Sequence, residues 1–284
     1  VKRLVSLASV AGVVVVATAF ALVGGSAAAT TSSTLPTLTL TMNGKTIIAG
    51  GSEVSGAVTV KSIVTGEKLG DPLLFHVKPG ASIAAGFAAL AKHNNDPNYL
   101  DPYGLISFHV PAPKGVSSAQ TRLLPGTYVA VDTEPTSGPP PFTVFSVTKS
   151  AHPAALPKPA ATVSAIEFGF KGPGTLYKGT LVRFQNQGFL AHMIDWARVK
   201  NLKDASKAVT LLRAGKDNAA GKLVLASGEW ASVFSSEQLT LGDGGLQQVK
   251  ITQPKGVYLI LCFMNTQDGR EHTQLGMERI IHIK

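Results

Sequence analysis

The sequence predicts an all-β protein of two tandem β-sandwich domains, each with a short helical insertion. Three observations carry that expectation. Short segments alternate apolar and polar residues with period two and are bounded by turn residues, which is the pattern of half-buried strands. Charged residues make up 15% of the chain and hydrophobic ones 44%, a balance that excludes disorder as the general state. The second half also repeats the first. Val77-Lys78 and the Ala81–Leu90 segment correspond to Val199-Lys200 and Ala205–Leu212 at an offset of 122, and Pro125-Gly126-Thr127-Tyr128 corresponds to Lys255-Gly256-Val257-Tyr258 at an offset of 130. Internal similarity at domain spacing implies two copies of one unit.

At the start, Lys2 and Arg3 precede an apolar run from Val10 to Val23 and the small residues Gly24 to Ala29. This is the layout of a secretory signal peptide over 1–29, with a mature chain beginning near Thr30. A retained anchor is the rival reading, although the run is short for a span of about 20 apolar residues. No later run is long enough to cross a membrane. Thr30 to Thr37 reads as a Ser/Thr-rich tail.

The first domain is expected over 30–148. Leu38 to Met42 alternates, Asn43-Gly44 signals a hairpin, and Ala57 to Val60 and Leu73 to Val77 continue the pattern. Ala81 to Lys92 has helical character. Gly126 to Val131 and Phe142 to Val147 read as closing strands joined by the proline-rich Pro135–Pro141. Residues 149–163, rich in Ala, Pro and Lys, read as a semi-rigid linker. In the second domain, 164–284, Thr180 to Phe184, Tyr258 to Leu261 and Ile280 to Ile283 read as strands. Ala205 to Ala214 reads as an amphipathic helix, with Ala208, Leu211 and Leu212 at helical spacing.

Cys262 is the only cysteine. An exported protein spends cysteines in pairs, so a single thiol calls for a reason, either burial as an inert core group or metal ligation. Nine residues separate Cys262 from His272 and four separate His272 from Met277. Thiolate, imidazole and thioether on one loop are the soft donors of copper, and a His, His, Cys plane with a weak axial Met lacks only one histidine here. His192 supplies it, after the strand-like Thr180 to Phe184 and a turn containing Asn186 and Gly188.

These residues resemble the blue-copper proteins, the cupredoxins such as plastocyanin and azurin, over roughly Ser164 to Lys284. The His-x4-Met tail is similar to the plastocyanin pattern, and the long Cys-to-His interval to the blue-copper domain of copper nitrite reductases. The resemblance implies Greek-key sandwiches and one type 1 copper ion per chain, held by His192, Cys262, His272 and Met277. Many family members carry Asn after the first His to tie the ligand loops together. Met193 stands there, so Asn186 or the backbone must replace that link. The loop turns at Gln267-Asp268-Gly269.

Aligned by the repeat, the first half places Gly70 at the His192 position and Asp132 at the Cys262 position. It is expected to keep the frame without the site, serving docking, spacing or stabilisation, with His76, His93 and His109 as surface or satisfied core residues. Met264 and His282 have poorer ligand spacing than the chosen set. Trp196 and Trp230 read as core or interface aromatics.

Three functions remain: single-electron transfer with an unidentified redox protein partner, copper storage, delivery or sensing without turnover, and a structural envelope module. An enzyme is disfavoured. Cys262 lies between Leu261 and Phe263 rather than in the His-Cys-His element of multicopper oxidases, and no G-x-S-x-G, H-E-x-x-H or P-loop occurs. The formal charge is +9, or +7 without Lys2 and Arg3, which suits electrostatic contact with an acidic partner or an envelope surface. No basic tract interleaved with aromatics occurs, so nucleic-acid binding is not expected.

Overall fold

Strands dominate because the period-two segments pair almost wherever they occur. The structure, a computed structural model, describes residues 34–93, 96–134, 140–233 and 246–284. The expected signal segment at 1–29 and most of the Pro135–Pro141 connection lie outside the described residues. Among the described residues no helix is long and apolar enough to cross a membrane.

In the first half, β1 (Thr37–Met42) turns back into β2 (Ile47–Gly51). Asn43 makes that turn, its Oδ1 accepting from the N–H groups of Lys45 and Thr46 at 2.9 and 2.8 Å, while Gly44 takes a φ of 77°. β1 also runs parallel to β3 (Gly56–Gly70), which pairs antiparallel with β6 (Ala112–Leu123). A second sheet of four strands has the order β5-β4-β7-β8, from β4 (Pro72–Val77), β5 (Gly104–His109), β7 (Gly126–Asp132) and β8 (Phe142–Val147). Leu38, Leu40, Val58, Val60, Leu74 and Tyr128 fill the space between the two sheets. Helix α1 (Ile83–Lys92), capped by Ser82 Oγ accepting from Ala85 N–H at 3.2 Å, lies over the outer face of the smaller sheet, where Phe87 and Leu90 meet Phe75, Ile106 and Val129.

The second half contributes β9 (Ala161–Ile166), β10 (Gly169–Lys171), β12 (Leu181–Asn186) and β15 (Leu246–Lys250) to the first sheet, which reaches eight strands in the order β10-β9-β12-β15-β6-β3-β1-β2. Its own five-stranded sheet has the order β11-β17-β16-β13-β14, from β11 (Thr175–Leu176), β13 (His192–Val199), β14 (Val224–Val233), β16 (Gly256–Leu261) and β17 (Glu278–Ile283). Phe184, Trp230, Ile194, Ile260 and Ile281 pack between these layers, with Cys262 and Met277 in the same cluster. Helix α2 (Leu202–Arg213) is capped by Asn201 and buries Ala205, Ala208 and Leu212 against Ala197, Leu259 and Leu261. The short α3 (Asp217–Gly221) follows it.

The two halves carry the same strand register. β4 pairs with β7 as Leu73 with Val131, Phe75 with Val129 and His76 with Tyr128, and β13 pairs with β16 as Asp195 with Leu261, Ala197 with Leu259 and Arg198 with Tyr258. Each second-half position is its first-half counterpart shifted by the offsets read from the sequence, 122 on one strand and 130 on the other. Both tyrosines also tie back to the preceding turn. Leu124 N–H donates to Tyr128 Oη at 2.9 Å, and Tyr258 O–H donates to the Pro254 carbonyl at 2.6 Å.

The 149–163 stretch is hydrogen-bonded to both halves. Ala57 N–H donates to the Ala154 carbonyl, Gln248 Nε2 donates to the Pro157 carbonyl at 3.2 Å, and β9 already begins at Ala161. Its prolines suit this edge, since they present carbonyls and demand no donor partner. Gln120 of β6 pairs with Gln248 of β15, and Thr121 O–H donates to the Leu246 carbonyl at 2.8 Å, so Leu35–Lys284 forms one compact unit.

Candidate metal centre

The turn after β12 delivers His192. Asn186, 2% exposed, accepts from Gly188 N–H at 2.7 Å and donates through Nδ2 to the carbonyls of Leu190 and Val233 at 2.6 and 3.3 Å. A side chain that laces its own turn to β14 leaves His192 little freedom, and the residue opens β13 rather than sitting within a loop. Asn98 of the first half holds the same turn, its Oδ1 accepting from Ala191 N–H at 2.9 Å.

Cys262 directly follows β16, and the segment that carries the other two residues is closed by backbone bonds. Cys262 N–H donates to the Met277 carbonyl at 3.3 Å, Met277 N–H to the His272 carbonyl at 2.9 Å, and His272 N–H to the Met264 carbonyl at 2.8 Å. At the far end Gly269 N–H donates to the Thr266 carbonyl at 2.9 Å and Gly269 takes a φ of 83°, the turn expected at Gln267-Asp268-Gly269. His272 starts a single 3-10 turn, His272–Leu275, which ends at Gly276 with a φ of 97°.

His192 and Cys262 lie 70 positions apart, yet β13 and β16 are antiparallel neighbours and bring them to one pole of the sandwich. His192 Nδ1 lies 3.2 Å from His272 Nδ1, and Cys262 Sγ lies 3.4 Å from His272 Nδ1 and 3.9 Å from His192 Nδ1. Among the described residues this is the one group of three or more His, Cys, Asp or Glu side chains whose ligand atoms all fall within 4.8 Å of one another. All three are buried, with exposures of 0, 0 and 1% for His192, Cys262 and His272, and Met277 is buried in the same cluster.

The triangle has the dimensions of a metal site. Two nitrogens each about 2.0 Å from an ion at angles near 105° are about 3.2 Å apart, and a nitrogen and a sulfur about 2.3 Å from it are about 3.4–3.9 Å apart at about 105–130°. Charge agrees. Burial, and then the neighbouring His272, pull the His192 imidazolium down to about 3, and burial lowers His272 against the opposing carboxylates of Asp96 and Glu167. Both rings are therefore neutral donors at neutral pH. Burial pushes the Cys262 thiol up to about 12, while backbone N–H groups of Met264 and Met193 act in the opposite direction, the latter donating to Sγ at 3.3 Å. A thiol this reluctant to ionise alone needs a cation in the triangle to become a thiolate.

Met193 N–H is thus the tie between the two ligand segments, the role for which the backbone or Asn186 was expected; Asn186 ties only the His192 turn to β14. Nε2 of both imidazoles is buried without a hydrogen-bond partner among the described residues. The His272 ring is held by packing instead, edge-on to Phe168 at 5.2 Å between centroids.

The first-half positions behave differently. Asp132, 1% exposed, accepts from Asp71 N–H through Oδ1 at 2.8 Å, so a carboxylate at the Cys262 position binds the backbone beside the His192 position. His76 stacks on Tyr128 at 4.7 Å, His93 on Tyr99 at 3.6 Å, and His109 pairs with Asp71 at 2.8 Å. His282 sits in β17 with its N–H donating to the Gly174 carbonyl, and Trp196 and Trp230 pack together in the core at 6.3 Å.

Sequence reasoning missed one buried network. His109 reaches Asp71 on one side and, at 3.9 Å, Glu229 of β14 on the other. Against the cost of burial, Asp71, Glu229 and Asp195 hold His109 protonated up to about 9. Ser232 O–H completes it, donating to Glu229 at 2.6 Å. The residues are scattered from 71 to 232, and no local spacing announces them.

Two neutral imidazoles, a thiol and a thioether buried at one pole of a β-sandwich form a set that fits a type 1 copper site. No protein-family model and no curated protein sequence matches the chain. Among solved structures it is similar to dithionite-reduced auracyanin from Roseiflexus castenholzii, with 16% identity, a TM-score of 0.24, and coverage of 43% of this chain and 94% of that one. Auracyanin A, a blue copper protein from Chloroflexus aurantiacus, matches at 19% identity and a TM-score of 0.22 over 43% of this chain and 99% of that one. The copper-containing nitrite reductase of Thermus scotoductus SA-01 matches at 11% identity and a TM-score of 0.24 over 88% and 68%.

Proposed function

We propose that this chain is an exported mononuclear copper protein that passes single electrons between protein partners and catalyses no substrate chemistry. The observation that carries the reading is the convergence within 4.8 Å of three buried ligand atoms, from the start of β13, the end of β16 and the 3-10 turn between β16 and β17. Cys262, His192 and His272 would hold the metal, with Met277 in the same buried cluster as a further, weaker donor. Bound copper supplies a one-electron couple between Cu(I) and Cu(II). The protein supplies rigidity: β13, β16 and the laced turn at Asn186 fix the donors before metal arrives, so little reorganises when the charge changes.

The matched registers support a tandem-copy reading in which 30–148 is a cupredoxin-like domain without ligands and 164–284 is the copper domain. In that reading the first half serves as a brace, as the bond from Ala191 N–H to Asn98 suggests. The apolar run of Val10 to Val23 supports export, and the surplus of basic residues supports a partner or surface of acidic character.

A second reading, copper storage or delivery, is favoured by burial: all three ligands are at most 1% exposed, so no ligand edge is offered freely to a partner. Voltammetry of the copper-loaded chain separates the two. Electron transfer predicts a reversible one-electron wave with copper retained through repeated cycles. Loss of copper on reduction would replace it with the delivery role, and the absence of any wave would sink the redox reading.

A further inference from the structure

Beside the metal centre lies a cleft of about 680 Å³ that the copper reading does not use. Its floor is the outer face of the four-stranded sheet, including Phe75, Ile106 and Val129, and its opposite wall is α1, with Phe87 and Leu90. At one end stand Met193 and Met264, whose backbone groups already touch Cys262 and His272. His109, Thr133, Glu134 and Ser232 supply its hydrogen-bonding groups.

The volume falls within the range of small-molecule sites, about 300–1,000 Å³, and a carbon-lined wall with a few convergent polar groups is their usual build. The apolar lining rejects a strongly hydrated ligand. The polar groups restrict it further. Glu134 lines the cleft, Asp71 and Glu229 lie directly behind His109, and the single cation among them is already paired with acids. The carboxylates disfavour an anionic head, whereas the Glu134 carboxylate and the Thr133 hydroxyl oxygen can accept from a neutral one. Burial and the charges of Asp71 and Asp132 hold the Glu134 proton above the usual carboxylate range.

We propose that this cleft binds a neutral, ring-bearing organic molecule with one hydroxyl group, its ring beside α1 and the sheet and its hydroxyl donating at the Thr133–Glu134 groups. The site is independent of the copper assignment, because none of His192, Cys262, His272 and Met277 lines it.

The test is a fluorescence titration of the metal-free protein at pH 7 with 1-naphthol, naphthalene and 1-naphthoate. Saturable one-to-one binding of 1-naphthol is expected, with naphthalene and naphthoate each at least tenfold weaker. Ala91→Trp, at an exposed position of α1 that lines the mouth, should weaken 1-naphthol at least tenfold while leaving the circular dichroism unchanged. Failure of 1-naphthol to saturate, equal affinity for the three probes, or unchanged binding by Ala91→Trp would each overturn the proposal. A second copy seated in the cleft would also overturn it, seen in sedimentation as a dimer that Phe142→Ser, at the 53% exposed rim, dissociates. Since no copper is present, none of these outcomes bears on the metal centre.

Discussion

Protonation of His192 sets a measurable acid limit on the metal-free protein. The ring is fully buried beside a second imidazole, and its imidazolium is held down to about 3 against an unfolded value of about 6.5. A depressed folded value means that the unfolded chain binds the proton first. Stability is therefore intact above about 6.5 and falls by about 1.4 kcal/mol per pH unit between that value and about 3. From pH 7 to pH 5 the loss is about 2 kcal/mol. The figure is governed by the unfolded imidazole, since the folded ring stays neutral throughout that interval. Other groups titrate as well, so the quantity to measure is a difference. Urea denaturation of the metal-free wild type and of His192→Leu, each at pH 7 and pH 5, isolates this ring, because leucine fills much of the same space and carries no proton. Relative to the variant, the wild type should lose about 2 kcal/mol on acidification. Parallel losses would mean that His192 ionises freely, and the reasoning from its burial would be refuted.

Other expectations concern the remaining donors. Above pH 7 both imidazoles are already neutral, so the Cys262 thiol, pushed up to about 12, is the one ligand that must lose its proton on metal uptake. Affinity for copper should rise about tenfold per pH unit from pH 7 to 9 in a chelator competition, and a flat profile would contradict the assignment of the thiol. Cys262→Ser should keep the fold and abolish any intense visible band, whereas a variant that remains blue would show that another sulfur is the ligand. Met277→Leu should retain the colour and raise the reduction potential, because a weak thioether favours Cu(II) more than a hydrocarbon does; an unchanged potential would remove Met277 from the metal. Asn186→Ala removes two buried hydrogen bonds and one half-buried one and should cost about 2 kcal/mol in urea denaturation, while a loss below about 0.5 kcal/mol would place the rigidity of the His192 turn elsewhere.

Local chemistry made much of this architecture legible. Leu38 to Met42 alternates because one face of β1 is core, Asn43-Gly44 turns because its side chain and backbone suit the turn, and the repeat offsets reappear as the common register of β4–β7 and β13–β16. The Cys262, His272 and Met277 spacing was visible because those residues share one segment. His192 required an argument from chemistry, and the structure brings it to the other two through strands that no local pattern connects. What stayed hidden depends on distant partners. Thr121 is fully buried because its hydroxyl reaches Leu246, 125 positions away, and the proline-rich 149–163 stretch is held by acceptors that its composition does not reveal. The His109, Asp71 and Glu229 cluster likewise forms only when strands from both halves meet.

The central claim is that His192, Cys262 and His272 form a single copper site per chain. Its most direct test is the visible absorption spectrum of the purified chain after Cu(II) addition and desalting, read together with metal content. One copper per chain and an intense band from thiolate-to-copper charge transfer are expected. A colourless protein with no retained copper, or two ions held equally tightly, would contradict it.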